Sequence, residues 1–129
     1  MMLFAPKFQT WIKNLVETHD ALSGTVHLYL KERLELAAAI DFPLKMQQEI
    51  SKVEVGNGFV GAAMEQGKTL HAADVDGTHL QPGAVDAVAI PVADNSGGYR
   101  AVIVVSFENE ISDEVTKALE LEAQGLPPF

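Results

Sequence analysis

Hydrophobic residues near the start of the chain recur at helical spacing. Phe8, Trp11, Ile12, Leu15, Val16 and His19 share one side of a helix that Pro6 can begin in its first turn and that ends before Ser23-Gly24. The period then changes to two. From Thr25 to Leu30, Val26, Leu28 and Leu30 fall on one face, with His27 and Tyr29 on the other. Arg33 to Ile40 places Leu34, Leu36, Ala38 and Ile40 together. The polar pair Lys31-Glu32 between these runs predicts a tight hairpin. Phe42-Pro43-Leu44 breaks the second strand, and Leu44 to Ile50 can supply only a short helical turn. Val85 to Val92 and Ala101 to Val105 are apolar on both faces, as strands covered on both sides require, which predicts that they form the centre of the sheet. Ser112 is a good N-cap before Asp113-Glu114, with Val115, Ala118, Leu119 and Glu122 marking the inward face of a closing helix that Gly125 and Pro127-Pro128 end. This order predicts an α+β fold, an antiparallel sheet with helices on one side and loops on the other.

The middle of the chain, Val53 to Asp74, admits two readings. Gly56, Gly58 and Gly61 spell G-x-G-x-x-G, which in a βαβ unit lets backbone approach a pyrophosphate. That context is missing. Only the half-polar Lys52-Val53-Glu54-Val55 precedes Gly56, and too few apolar residues precede Asp74 or Asp76 for a second buried strand. The alternative accounts for more residues. Gly56 and Gly58 turn the chain, Phe59 to Gln66 form a short helix with Gly61, Ala62 and Ala63 for close packing, and Gly67 stops it in a left-handed conformation. Thr69 to Ala72 then make a short strand, and an acidic loop follows from Asp74.

The spacing Gly56, Gly58, Gly61, Ala63, Gly67, Asp74 resembles the mid-domain stretch of GAF domains. Ala87-Val88-Ala89-Ile90-Pro91-Val92, the polar turn Ala93 to Gly98, and Ala101 to Phe107 are similar to that family's last two central strands. The likeness runs from about Leu22 to Leu121. It implies one GAF-like domain over 1–129, with an N-terminal helix in 1–21, a sheet core with a small helix in 22–110, and a C-terminal helix and tail in 111–129. The terminal helices would cover one face of the central antiparallel sheet, and a short helix and loop layer the other. It also implies a pocket between the sheet and that layer, among Gly58, Phe59, Val60, Met64, Asp74, Asp76, His79, Ala87, Ala89 and Pro91. Small side chains on a central strand leave volume above it, and free N–H groups at Gly58 to Val60 can receive a carboxylate or phosphate. The same alanines could instead let the helix pack close, with no ligand. The short spans Asp41 to Val55 and Asp74 to Asp86 favour a small metabolite or a filled pocket over a large ligand.

Composition narrows the chemistry. The chain of 129 residues has no cysteine, which removes disulfides, thiolate metal ligands and thiol nucleophiles. Two activities of the resembled family, cysteine-based reduction of free methionine sulfoxide and covalent bilin attachment, are excluded with them. A formal charge of −9 repels a phosphate backbone, so nucleic acid is not expected as a partner. Met1 to Ala5 lacks the features of a signal peptide, and no apolar run approaches the roughly 20 residues of a membrane span, so the expectation is a cytoplasmic protein with no membrane partner.

His71, Asp74, Asp76 and His79 form the densest cluster of potential metal ligands, but their spacing straddles a strand end and a turn, so no metal or other cofactor is expected. His27 reads as a partly buried or interface histidine able to sense pH. No serine stands on a strand-to-helix elbow flanked by glycines, and the expectation is that the chain is not an enzyme. The expected function is a non-catalytic sensory or regulatory module. It would bind a small molecule and signal through its terminal helices to a homodimer mate or a separate effector protein. The alternative is a degenerate module used only for dimerisation or docking. For the first helix, intramolecular packing and a dimer interface both remain open, with Trp11 as the residue that distinguishes them.

Overall fold

The computed structural model describes residues 5–128. The residues Met1 to Phe4 of the leader reading and of the N-terminal segment, and Phe129 of the tail, lie outside them. The elements in chain order are α1 (Pro6–Thr18), β1 (Ser23–Leu30), β2 (Arg33–Ile40), α2 (Leu44–Glu49), β3 (Lys52–Glu54), α3 (Gly58–Gln66), β4 (Leu70–His71), β5 (Asp86–Ala93), β6 (Tyr99–Phe107) and α4 (Asp113–Ala123). A single 3-10 turn, Ala72–Asp74, follows β4.

The strands form one six-stranded sheet in the order β3-β2-β1-β6-β5-β4, with every adjacent pair antiparallel. The centre is therefore β1 beside β6. β5, expected at the centre, lies one place from the edge, beside the two-residue β4. Its apolar character on both faces has another cause: helices α4 and α3 pack on opposite sides of it.

Two clusters sandwich the sheet. On one face Phe8, Ile12, Leu15 and Val16 of α1 and Leu119 and Ala123 of α4 pack with Val26, Leu28, Val88, Ile90, Ile103 and Val105. On the other, Val60, Ala62 and Ala63 of α3 pack with Leu34, Leu70, Ala89, Val102 and Val104. The two terminal helices thus share one side and α3 covers the other. Trp11 is partly buried against the first cluster. The inward stripe of α4 differs from the expected one: Thr116, Leu119 and Ala123 are buried, while Ala118 and Glu122 face outward. Glu122 instead bonds the His19 ring beyond the end of α1.

Local chemistry explains the turns. Lys31 and Glu32 both take positive φ, 52° and 68°, the conformation of a two-residue hairpin whose twist matches its strands. Ser112 Oγ accepts from Val115 N at 3.2 Å, with Asp113 and Glu114 in the first turn of α4. Gly67 ends α3 at φ 64°, ψ 32°, and its carbonyl accepts from the Tyr99 hydroxyl at 2.9 Å. Gly61 has a different task. A Cβ there would stand 2.4 Å from the Glu54 carbonyl oxygen, so only glycine lets α3 lie against β3.

The strand register is irregular at two places, at Val92/Ala93 near the end of β5 and inside β2. The register passes from Val26↔Ala38 to His27↔Leu36, a bulge that leaves Ala37 without an opposite number. Leu34 consequently belongs to the α3 side, whereas Ala38 belongs to the α1 side with Ile40 packed against it.

Candidate ligand cavity

The face of the sheet opposite the terminal helices is only partly covered by α3. Register sets what lies on the uncovered half. Thr25 pairs with Val104, Ser106 pairs with Ala87, and His27 follows Thr25 on the same side of β1. These five residues make a contiguous floor of small and polar side chains across β1, β6 and β5. Above it lies a cavity of about 440 Å³. One wall comes from Phe42, Met46 and Ile50 around α2, and a second from Val53 and from Asn57 to Val60 at the start of α3. The loop Asp76 to Gln81 closes the third side. Glu49, Lys52, Glu54, Asp76 and His79 border the cavity with exposed side chains.

The loop wall is held by a polar chain. Ser23 Oγ, buried at the start of β1, donates to Gln81 Oε1, and Gln81 Nε2 donates to the Asp41 carbonyl at 3.2 Å. Gln81 thus fastens the loop to the ends of β1 and β2. At the loop's other end the Asp74 carboxylate accepts from His71 N at 2.8 Å. Further along, the Asp86 carboxylate accepts from Ala87 N at 2.8 Å and Ile111 N at 3.1 Å, and faces His71 Nδ1 at 3.4 Å.

His27 is the most unusual group on the floor. It is 0% exposed, its Nε2 lies 2.9 Å from Thr25 Oγ1, and its Nδ1 is buried without a hydrogen-bond partner. Burial pushes its pKa from 6.5 down to about 3, because the imidazolium would lose its hydration with no anion to compensate. The ring is therefore neutral at physiological pH. This corrects the sequence expectation of a partly buried or interface histidine able to sense pH: the ring is wholly buried and its pKa lies far below the physiological range.

The first turn of α3 adds donors. Asn57 is extended at the N-cap and makes no side-chain cap, so the N–H groups of Gly58, Phe59 and Val60 are left without intrahelical partners beside the cavity.

Of the residues expected at a pocket, Gly58, Phe59, Val60, Asp76, His79 and Ala87 line this cavity. The other four stand elsewhere. Ala89 is buried in the cluster beneath α3, and Met64 packs against that cluster. Asp74 holds the His71 backbone, and Pro91 is buried on β5 with its carbonyl accepting from Gln124. Thr25, Ser106 and Gln81 escaped the sequence reading. For Thr25 and Ser106 the available signal was a polar residue at an inward position of an otherwise apolar strand, whereas Gln81 lies in a loop with no such signal. Among the described residues, no group of three or more His, Cys, Asp or Glu side chains converges as a metal site, and no helix is long and apolar enough to cross a membrane.

No family model matches the chain, and no curated protein matches it. Solved structures do. The chain is similar to a type II free methionine-R-sulfoxide reductase from Thermoplasma acidophilum, with a TM-score of 0.76 and 14% identity over 92% of this chain and 85% of that one. It is similar to the free methionine-R-sulfoxide reductase from Neisseria meningitidis in complex with its substrate, with a TM-score of 0.74 and 18% identity over 92% and 72%. The second GAF domain of DevS from Mycobacterium smegmatis gives 0.73 and 16% over 93% and 87%. The fold is GAF-like. Enzymes share it, and that finding overturns the expectation that the chain is not an enzyme, since a GAF-like architecture is no mark of a purely binding module. A cysteine route to catalysis stays closed to a chain with no cysteine.

Proposed function

On this GAF-like scaffold, we propose that the protein is a small-molecule-binding module of the sensory or regulatory kind, with its ligand seated on the floor formed by Thr25, His27, Ala87, Val104 and Ser106. The observation that carries the reading is the cavity of about 440 Å³ over a floor with an unpaired buried nitrogen. Its volume falls in the range of small-molecule sites, and its half-buried apolar walls with a few polar groups match their usual chemistry. The complex of the Neisseria meningitidis reductase with its substrate supports occupancy of such a fold by a small molecule. The chemistry open to the residues around this cavity is hydrogen bonding and proton transfer.

Signalling would pass to a second copy or a separate effector through α1 and α4. Leu121, 78% exposed on the outward side of α4, is the residue such a contact would cover. Native mass spectrometry of the gently purified protein tests both parts. A mass excess lost on collisional heating supports the ligand. A dimer that Leu121→Glu converts to monomer supports the contact. A bare monomer that takes up no compound from a metabolite extract overturns the ligand and the contact between copies.

A further inference from the structure

The cavity's electrostatics restrict what it can hold, and the restriction rests on the reading of the cavity as a ligand site. Three carboxylates, Glu49, Glu54 and Asp76, border it against the ammonium of Lys52, so the entrance opposes an anion. The floor offers an ion no counter-charge: Thr25, His27 and Ser106 are buried, uncharged side chains. An ammonium group would remain among the hydrated rim carboxylates, because descending to the floor costs its hydration without a counter-ion.

Hydrogen bonding points the same way. Thr25 engages His27 Nε2, so Nδ1 is the ring's unspent valence, and it is sealed from water. An unsatisfied buried polar atom costs about 1–3 kcal/mol. A bound group that reaches Nδ1 recovers that cost on top of its own contacts. Which ring nitrogen carries the proton decides whether Nδ1 donates or accepts, and a hydroxyl or an amide can answer either. The N–H groups at the start of α3 can receive a carbonyl oxygen on the same molecule, while the three rim carboxylates oppose the carboxylate or phosphate that a helix start would otherwise accept.

We infer that the cavity selects an uncharged, largely apolar ligand carrying a hydroxyl or amide group, which His27 Nδ1 takes as its missing hydrogen-bond partner. Charge selection is then a property of the floor, and apolar bulk is taken up by Phe42, Met46, Ile50, Val53 and Phe59.

The test uses three probes of one shape: naphthalene-2-carboxamide, naphthalene-2-carboxylate and 2-naphthylmethylammonium, titrated into the full chain at pH 7 by calorimetry. The carboxamide is expected to bind at least tenfold more tightly than either ion. Nitrogen-15 spectra of the histidine rings are expected to show the His27 Nδ1 signal moving on carboxamide binding while Nε2 moves little. His27→Phe is expected to lower carboxamide affinity about tenfold. The ring spectra of the unaltered protein decide the matter if that variant does not fold. Carboxylate or ammonium binding as tight as the carboxamide overturns the charge selection and leaves the cavity reading standing. A bound carboxamide with an unmoved Nδ1 signal overturns the role of His27. No binding by any of the three at millimolar concentration overturns the cavity reading and this inference together.

Discussion

Thr25 Oγ1 stands 2.9 Å from His27 Nε2, and this one bond spends half of a buried ring's hydrogen-bonding capacity while the other half stays empty. A stability consequence follows from the ring's neutrality. The unfolded chain protonates His27 below pH 6.5, whereas the folded chain holds it neutral down to about pH 3. Between those values the unfolded state binds more protons, so stability falls as the pH drops through that window and is unaffected by this group above it. The loss reaches about 2 kcal/mol at pH 5. Urea titrations from pH 7 to 4 should show that slope, and His27→Phe should flatten it; an equal slope in the variant would assign the acid sensitivity to other groups.

Gly61→Ala is expected to destabilise the protein by about 2–3 kcal/mol, because the added methyl meets a backbone oxygen that cannot swing aside. Melting temperature reports it, at roughly 3–6 °C per kcal/mol for a domain of this size. An unchanged melting temperature would show that α3 can lift from β3 at little cost.

Two alanines of β5 point to the same side of the sheet and should respond differently. Ala89 lies at 0% exposure under α3, so Ala89→Leu overpacks the core and costs about 1–3 kcal/mol. Ala87 is on the cavity floor, so Ala87→Leu grows into free volume. It should abolish uptake of the carboxamide probe with a stability loss under about 1 kcal/mol. Paired urea melts and calorimetry separate them, and an Ala87→Leu protein that still binds would place the ligand elsewhere.

Asp86→Ala should cost about 1–3 kcal/mol, since the carboxylate that receives the Ile111 and Ala87 N–H groups is lost from a mostly buried position. Hydrogen exchange should quicken first at Ile111, just before α4. Uniform exchange across the chain would instead show that Asp86 is replaced by water.

The sequence by itself determined what depends on neighbours within a few residues. The amphipathic stripe of α1, the Lys31-Glu32 hairpin, the Ser112 cap and the Gly67 stop are each written in one short stretch, because helix periodicity, turn torsions and caps are local. Part of the cavity wall was legible for the same reason: Gly58, Phe59 and Val60 belong to one helix start. The floor was not. Thr25, His27, Ser106 and Ala87 come together only through the pairing of β1 with β6 and of β6 with β5, a register that no single segment encodes. The bulge at Ala37 was equally hidden, since Leu34 to Ile40 keeps an unbroken apolar alternation while its backbone changes face. Tertiary structure alone decided that His27 is buried, neutral and half satisfied. Burial and charge state depend on which strands enclose a side chain, and that is a property of the assembled sheet.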